Sequence, residues 1–536
     1  MRRAVMVCLV AALAMPSAAA GQDEGPAGQT PRRADGPWFG IPLPPGPEPG
    51  PAVVVGPRAP RPVTFERDAA SRELSAEALG VDLTTIVGFS KASRARREIG
   101  SGQLWGRVAG LPSADETVAW TAAQFRAAGI GDVRVQPVAQ DERASLWLPL
   151  EWRVTVHGAA AFGPGTADVV LHSAIPVVPS DLPAGPVTAP LVWVGTGGDA
   201  VLRHLDVRGK IAVQLAVPQG HMLFERGSVI AQAQALFKAG AVAVLTVLRL
   251  PGNEPGRDFS NCGGPCFNVG GRDGWFLEAV LNDASRRPAV PPVTATLSLR
   301  TETRRGLVAT NAVAVVPGRR TDEAIVVNAH ADAWFDGAGD NADGLAVMLG
   351  LARHFAKPAH RPARTLVFVA SAGHHTPGIN GPRGFIAANP DLAAKTVLML
   401  NVEHVAQRNF SPARTTHADG YRQAIADTGE APVYAGVSTD TPFLHGLFQD
   451  GVTRYGVNFV SAPSTMGSGE TGGYMALAAA RITVMQAPPL YHTTGETLDV
   501  ISAPGLERMA RFLAYFLEGA AGAPRAALGS HSPPGR

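Results

Sequence analysis

Four apolar runs in the C-terminal half of the chain predict buried parallel strands. They are "AIVVNAH" from Ala324, "TLVFVASA" from Thr365, "TVLMLNVE" from Thr396 and "RITVMQA" from Arg481. Continuous apolar runs suit strands that are covered on both faces, whereas half-exposed strands alternate between apolar and polar residues. Between the first two runs, "DGLAVMLGLARHFAK" repeats apolar residues at helical spacing. The pattern predicts an α/β fold with a mainly parallel central sheet flanked by helices.

The rest of the chain divides into segments that differ in residue composition and apolar pattern, and so in predicted structure. Helical patterns begin at about residue 74, and residues 74–165 lead into the rest of the fold. Residues 166–290 carry short apolar strands and a helix, which predicts a small inserted α/β module. The four long runs belong to residues 300–519. Residues 21–63 are rich in Pro and Gly and predict a disordered linker, and residues 520–536 predict a disordered tail.

The N-terminus predicts a secretory signal at residues 1–20. Arg2 and Arg3 precede an apolar stretch too short to span a bilayer, and small residues follow at the cleavage positions. The alternative is an N-terminal anchor helix. We therefore expect a secreted or periplasmic protein with no membrane anchor after cleavage. A net charge of +2 favours no nucleic-acid partner.

Metal-ligating residue types follow each of the four predicted strands. In chain order they are His330, then His374 and His375, then Glu403 and His404, then Tyr491 and His492. Ligands of open α/β sheets bind beyond the carboxyl ends of the strands. One such histidine alone would more often be structural, but imidazoles and a carboxylate delivered to one edge predict a metal site.

The segment "NAHADAWFDGAGDNADG" carries further acidic residues. Asp332 lies two residues after His330, where its carboxylate can fix the tautomer of a ligating imidazole. Asp340 lies at the turn into the next helix and can bridge two cations. The alternative interpretation is that Asp340 and Asp343 cap this helix. A dinucleotide loop is not supported, because the third glycine is misplaced.

The segments "HADAW…GAGDNADG", "NVEH" and "PLYHTTGETLD" resemble the co-catalytic zinc exopeptidases of the M28 family. The spacing of His330 and Asp340 and the "PLYH" segment are most similar to the glutamate carboxypeptidase II and transferrin-receptor-like branch. The resemblance covers residues 312–519 and the leading segment from residue 74. It implies that residues 166–290 are a protease-associated insertion in a peptidase domain.

Carried over by residue, the resemblance implies two zinc ions, with a single ion as the alternative. One ion would be held by His330, Asp340 and Glu403, and the other by Asp340, His375 and His492. His374 would be the general base, Asp332 a further catalytic residue, and Tyr491 a donor to the developing oxyanion. Ser468, Gly469 and Glu470 would lie beside a peptide or aminoacyl substrate.

The chain departs from the family pattern at the metal site. His374 and His375 stand where the family has two glutamates, and Glu403 stands where aspartate is usual. The leading hypothesis is a secreted zinc-dependent exopeptidase-like hydrolase, with aminopeptidase and carboxypeptidase activity both open, as is the oligomeric state. The alternative is a catalytically impaired relative that acts as a metal- or peptide-binding scaffold. Neither a G-x-S-x-G elbow nor an H-E-x-x-H helix is present.

Two cysteines follow the predicted signal, Cys262 and Cys266 in "NCGGPC". In an oxidising compartment they predict a local disulfide. A thiolate metal site is the alternative, but no histidine lies near them in the sequence.

Overall fold

The computed structural model describes residues 54–55, 69–217, 226–250, 252–257, 261–287, 289–417, 420–431, 433–437, 441–461, 469–486 and 490–529. The predicted signal, nearly all of the predicted linker and the last seven residues lie outside these ranges. In the described part of the chain, every helix is too short or too polar to cross a bilayer.

The described residues form strands and helices, numbered in chain order. The strands are β1 (Val54–Val55), β2 (Asp132–Ala139), β3 (Leu146–His157), β4 (Val169–Val170), β5 (Ile175–Pro176), β6 (Val187–Gly195), β7 (Ile211–Ala216), β8 (Ala243–Leu248), β9 (Cys266–Val269), β10 (Thr294–Arg304), β11 (Val308–Val316), β12 (Arg320–His330), β13 (Arg364–Ser371), β14 (Thr396–Glu403), β15 (Arg408–His417), β16 (Gly420–Glu430), β17 (Val433–Val437), β18 (Phe459–Ser461) and β19 (Ala480–Gln486). The helices are α1 (Ala76–Arg96), α2 (Pro112–Ala127), α3 (Ala159–Phe162), α4 (Asp199–Leu202), α5 (Arg226–Lys238), α6 (Gly271–Ser285), α7 (Gly344–Ala356), α8 (Gly381–Ala388), α9 (Pro390–Lys395), α10 (Pro442–Tyr455), α11 (Ala503–Gly522) and α12 (Arg525–Leu528).

The main sheet has nine strands in the order β1-β18-β17-β19-β14-β12-β13-β11-β2. Its four central strands, β19, β14, β12 and β13, are the four predicted apolar runs, and they pair in parallel. Parallel pairing brings their carboxyl ends to one edge of the sheet. The predicted fold class, a mainly parallel α/β sheet flanked by helices, is confirmed for this part of the chain.

Helices cover both faces of the main sheet. Apolar residues of α1, α2, α7, α10 and α11 form one continuous core with the strands. On the other face, Phe385 of α8 packs with Tyr474, Leu477 and inward residues of β12, β13 and β14. This double cover explains why the central strands are apolar throughout, since neither face reaches solvent.

A second sheet of eight strands has the order β4-β3-β10-β6-β7-β8-β9-β5. It extends beyond the predicted module of residues 166–290 at both ends, because β3 and β10 pair with each other over nearly their full length. The sheet shares a core with Trp105, Trp334 and Phe335. Trp334 and Phe335 lie in the loop after β12, so the second sheet supports that loop.

A disulfide joins Cys262 to Cys266, the first residue of β9. At the other end of the chain, the predicted disordered tail is wrong for residues 520–529. Helix α11 continues to Gly522, α12 follows, and Ala520, Ala521 and Leu528 are buried. Alanine and glycine resemble linker composition, but here their small side chains allow close packing against the core.

Candidate metal centre

The carboxylate of Asp340 is the centre of a cluster of imidazoles at the carboxyl edge of the main sheet. Its Oδ1 lies 2.8 Å from Nε2 of His404 and 3.1 Å from Nε2 of His330. Its Oδ2 lies 2.8 Å from Nε2 of His492 and 3.1 Å from Nε2 of His375. Among the described residues, each oxygen of Asp340 therefore faces two imidazoles, which is the geometry of a bridging ligand.

His330 is held in one orientation by the residue two positions after it. Its Nδ1 lies 3.0 Å from the backbone oxygen of Asp332, so this nitrogen donates and Nε2 offers a lone pair toward Asp340. The Asp332 carboxylate lies farther from the same nitrogen, with its Oδ1 3.6 Å from Nδ1. It also accepts the backbone N–H groups of His374 (3.2 Å) and His375 (2.8 Å). Asp332 thus positions the adjacent histidines.

Glu403 and His404 reach the same side of Asp340 although they are adjacent in the chain. Neighbouring strand residues point to opposite faces, but β14 ends at Glu403 and His404 has a positive φ of 48°. Oε1 of Glu403 lies 3.8 Å from Nε2 of His330, and its Oε2 accepts a hydrogen bond from Asn401 at 2.7 Å. His404 was noted in the sequence but not assigned as a ligand.

The turn after Asp340 is tied to the end of β14. Asn341 donates to the backbone oxygen of Val402 and accepts from the backbone N–H of His404. The carboxylate of Asp343 accepts the backbone N–H groups of the two residues after His404. Asp343 makes no side-chain cap of α7, so the capping interpretation is wrong for this residue. A Cβ at Gly344 would lie 2.2 Å from Oδ1 of Asn341, so only glycine fits there.

His374 forms a pair with Glu470. Its Nδ1 lies 2.7 Å from Oε1 of Glu470, and its ring stacks on His330 with centroids 4.4 Å apart. Glu470, predicted to lie beside the substrate, therefore contacts the predicted base. Gly469 precedes it at φ +63°, and a Cβ there would lie 2.0 Å from Oε2 of Glu403. Ser468, the third predicted substrate residue, lies outside the described residues.

The segment that carries Tyr491 and His492 is held by hydrogen bonds to Glu496 and to Arg257. The Tyr491 ring stacks on His492 with centroids 3.6 Å apart. The buried carboxylate of Glu496 accepts the backbone N–H of His492. From the second-sheet module, the backbone N–H of Arg257 donates to the His492 oxygen at 2.8 Å. The guanidinium of Arg257 lies 3.9 Å from the ring centroid of Trp334, so this module forms part of the wall of the centre.

Burial and mutual charge shift the pKa values in this cluster strongly. Burial alone would lower the pKa of His404, but the charge of Asp340 and its hydrogen bond raise it to about 9. Burial dominates for His375 and lowers its pKa to about 4, so that its imidazole is neutral. Burial opposes, but the neighbouring imidazoles of His375 and His404 hold the pKa of Asp340 well below its usual value. An ionised carboxylate facing a neutral imidazole suits cation binding.

The donor set fits divalent metal ions. Nε2 of His330, Nε2 of His375 and Oδ2 of Asp340 are buried and form no hydrogen bond with the described residues. Buried polar atoms are nearly always satisfied, and imidazole nitrogens and carboxylate oxygens of this kind would hold zinc. Two groups meet at Asp340: the first is His330, Glu403 and His404, and the second is Asp340, His375 and His492.

Arg107 holds the loop after β12 through hydrogen bonds to its backbone. This role was not predicted from the sequence. This fully buried guanidinium donates to the backbone oxygens of Ala331, Asp336 and Gly337 and to Oγ of Ser90. Burial lowers its pKa to about 10. One arginine in a chain rich in arginine carries no local pattern, so only the tertiary structure reveals the contact.

One protein family has a model that matches part of the chain. Residues 311–517 match the model of Peptidase family M28. No curated protein matches the chain.

Several solved structures are similar over most of their length. The aminopeptidase from Aneurinibacillus sp. strain AM-1 is 21% identical, with a TM-score of 0.51, and the match covers 83% of this chain and 94% of that one. A peptidase M28 precursor from Shewanella amazonensis SB2B is 18% identical, with a TM-score of 0.59, covering 87% and 100%. BSAP, a zinc aminopeptidase from Bacillus subtilis, is 16% identical, with a TM-score of 0.53, covering 85% and 98%. At these identities the likeness shows the fold. The family match and the shared fold therefore make residues 311–517 similar to Peptidase family M28.

Proposed function

We propose that the protein is an exported zinc-dependent exopeptidase of the aminopeptidase type, which hydrolyses peptide or aminoacyl amide bonds. One observation carries the proposal: the buried carboxylate of Asp340 lies between two sets of imidazoles, within 3.1 Å of each. The similar solved aminopeptidases support the choice of reaction. The disulfide between Cys262 and Cys266 supports export, since such bonds persist in oxidising compartments.

The metal ligands are assigned from the two groups that meet at Asp340. His330 and Glu403 would hold one ion with Oδ1 of Asp340, and His404 is close enough to join them. His375 and His492 would hold the other with Oδ2. When bound, zinc acidifies water and polarises the carbonyl of the substrate. Only Asp340 and Glu403 are anionic in this set, so the second ion should be held less firmly than by a carboxylate-rich site.

His374 is proposed as the general base in place of a glutamate. Burial and the nearby His330 lower its pKa, but the hydrogen bond and charge of Glu470 outweigh them and raise it. Glu470 accepts the hydrogen on Nδ1, which leaves Nε2 to take the proton of the attacking water. The Tyr491 hydroxyl is proposed to donate a hydrogen bond to the developing oxyanion.

We further propose that the second-sheet module is a protease-associated insertion and that the chain belongs to the glutamate carboxypeptidase II-like branch. The proposal rests on the motif spacing and on the position of the module between the two parts of the main sheet. The contact of Arg257 with His492 and Trp334 supports a role for the module in shaping the substrate cleft.

A metal-reconstitution screen tests this function. The chain is stripped with a chelator, reloaded with Zn²⁺ and assayed on aminoacyl anilides and on peptides with free or blocked N-termini. We expect hydrolysis only after reloading and only of substrates with a free N-terminus. A fully loaded protein that cleaves none of these substrates would instead support the scaffold alternative.

Replacing Glu470 by Gln should lower kcat by about 10- to 100-fold with little change in KM, because the substitution weakens the orientation and basicity of His374. The matched control is Glu142→Gln, which alters an exposed glutamate. Steady-state kinetics measures both variants. Equal kcat values for the two would remove Glu470 from the mechanism.

Replacing His374 by Glu tests whether the imidazole has a native role. We expect a fall in kcat, because Glu at position 374 would lie beside Glu470 and lose the pairing with it. The same substrate panel measures the effect. A rise in activity would mean that His374 impairs an ancestral glutamate site.

A further inference from the structure

A second cluster of potential ligands lies at the far end of α7. His354 is in the last turn of α7, His360 ends the short turn Pro358–His360, and Glu518 lies on α11. Helix α7 starts beside the metal centre and rises about 1.5 Å per residue. His354 therefore lies about 15 Å along the helix axis from that centre, and none of its ligands is shared with it.

His354 is oriented as metal-bound histidines usually are. It is buried, and its Nδ1 lies 2.7 Å from Oε1 of Glu73. A carboxylate of this kind accepts, so Nδ1 carries the hydrogen and Nε2 presents a lone pair. The other oxygen of Glu73 binds the ammonium of Lys357. A histidine that binds zinc through one ring nitrogen usually donates the N–H of its other nitrogen to a carboxylate.

Two further side chains with ligand atoms lie near Nε2 of His354. Oε1 of Glu518 is 3.8 Å from Nε2 of His354, which is beyond hydrogen-bond distance. The His360 ring stacks on His354 with centroids 3.9 Å apart. One ligand atom from each residue lies within 4.8 Å of the others. Since His360 is only partly buried and the Glu518 side chain is 54% exposed, both can close around an ion.

We propose that His354, His360 and Glu518 form a peripheral site for a divalent transition-metal ion, with zinc favoured by the two imidazoles and one carboxylate. Glu73 is its positioning residue. A bound ion would connect α7 to α11 and, through Glu73, to the turn Ala69–Leu74. The site would therefore link an N-terminal segment of the fold to the C-terminal helix α11 and take no part in hydrolysis.

Equilibrium dialysis of the full chain against Zn²⁺ tests the site. His360→Ala should remove about one equivalent of bound zinc and leave peptide hydrolysis unchanged, whereas the exposed-residue control His204→Ala should keep both. In an Asp340→Asn background, His360→Ala should remove the high-affinity zinc that remains. Glu518→Gln should weaken the same equivalent.

Unchanged zinc content in His360→Ala, in both backgrounds, would overturn the peripheral site. This result is distinct from a failure of the proposed function. If the proposed function is wrong, the native chain will not hydrolyse the substrates, whatever the zinc content of His360→Ala.

Discussion

Replacing Asp340 by Asn is expected to abolish hydrolysis, with a loss of at least about 10³-fold, and to reduce bound zinc at the catalytic centre. Asp340 supplies both oxygens around which the four imidazoles are arranged. The amide removes the negative charge that balances two cations, and its nitrogen cannot act as a ligand in place of Oδ1 or Oδ2. Steady-state kinetics and elemental analysis of the purified variant measure the two effects.

The matched control for this substitution is Asp322→Asn, which removes an exposed carboxylate of β12. It should retain native kinetics and native zinc at the centre. If Asp340→Asn behaved like this control, the bridging role of Asp340 would be wrong.

Replacing Arg107 by Met is expected to cost about 3–5 kcal/mol of the free energy of unfolding. The substitution leaves three buried backbone oxygens of the loop after β12 without their donor. It also removes a buried positive charge that interacts with the carboxylates of Asp332 and Asp340. Urea unfolding of the zinc-loaded protein measures the loss, and zinc affinity should fall with it because the loop positions His330 and Asp332.

The comparison variant is Arg126→Met on the exposed side of α2. Surface substitutions of this kind usually change stability by less than about 0.5 kcal/mol. An equal unfolding midpoint for the two variants would show that the Arg107 hydrogen bonds contribute little.

Much of the main sheet and the location of the centre follow from the sequence. The four apolar runs identify strands covered on both faces, and parallel strands necessarily deliver their next residues to one edge. His330, Asp340, His375, Glu403 and His492 meet there in the structure. The apolar pattern of a strand and the order of the strands along the chain are local properties, so both can be predicted from the sequence.

The contacts between residues far apart in the chain were not predictable. Glu470 contacts His374 across 96 positions, and no local pattern marks the pair. His404 turns toward Asp340 only because its backbone adopts a positive φ. Asp332 accepts two backbone N–H groups of the loop after β13, in addition to lying 3.6 Å from the imidazole of His330.

The extent of the second sheet was also underestimated for a physical reason. The alternating pattern of β3 marks it as a strand, but periodicity does not identify the partner. Its partner β10 begins more than 130 residues later and pairs antiparallel with it, His157 opposite Thr294. Pairing over such distances depends on tertiary packing.

Anomalous diffraction at the zinc edge, from crystals of the zinc-loaded chain, measures whether Asp340 bridges two ions. We expect two peaks that flank the Asp340 carboxylate, one at Oδ1 beside His330 and Glu403 and the other at Oδ2 beside His375 and His492. Absence of any peak within bonding distance of Asp340 would show that this carboxylate is not a bridging ligand.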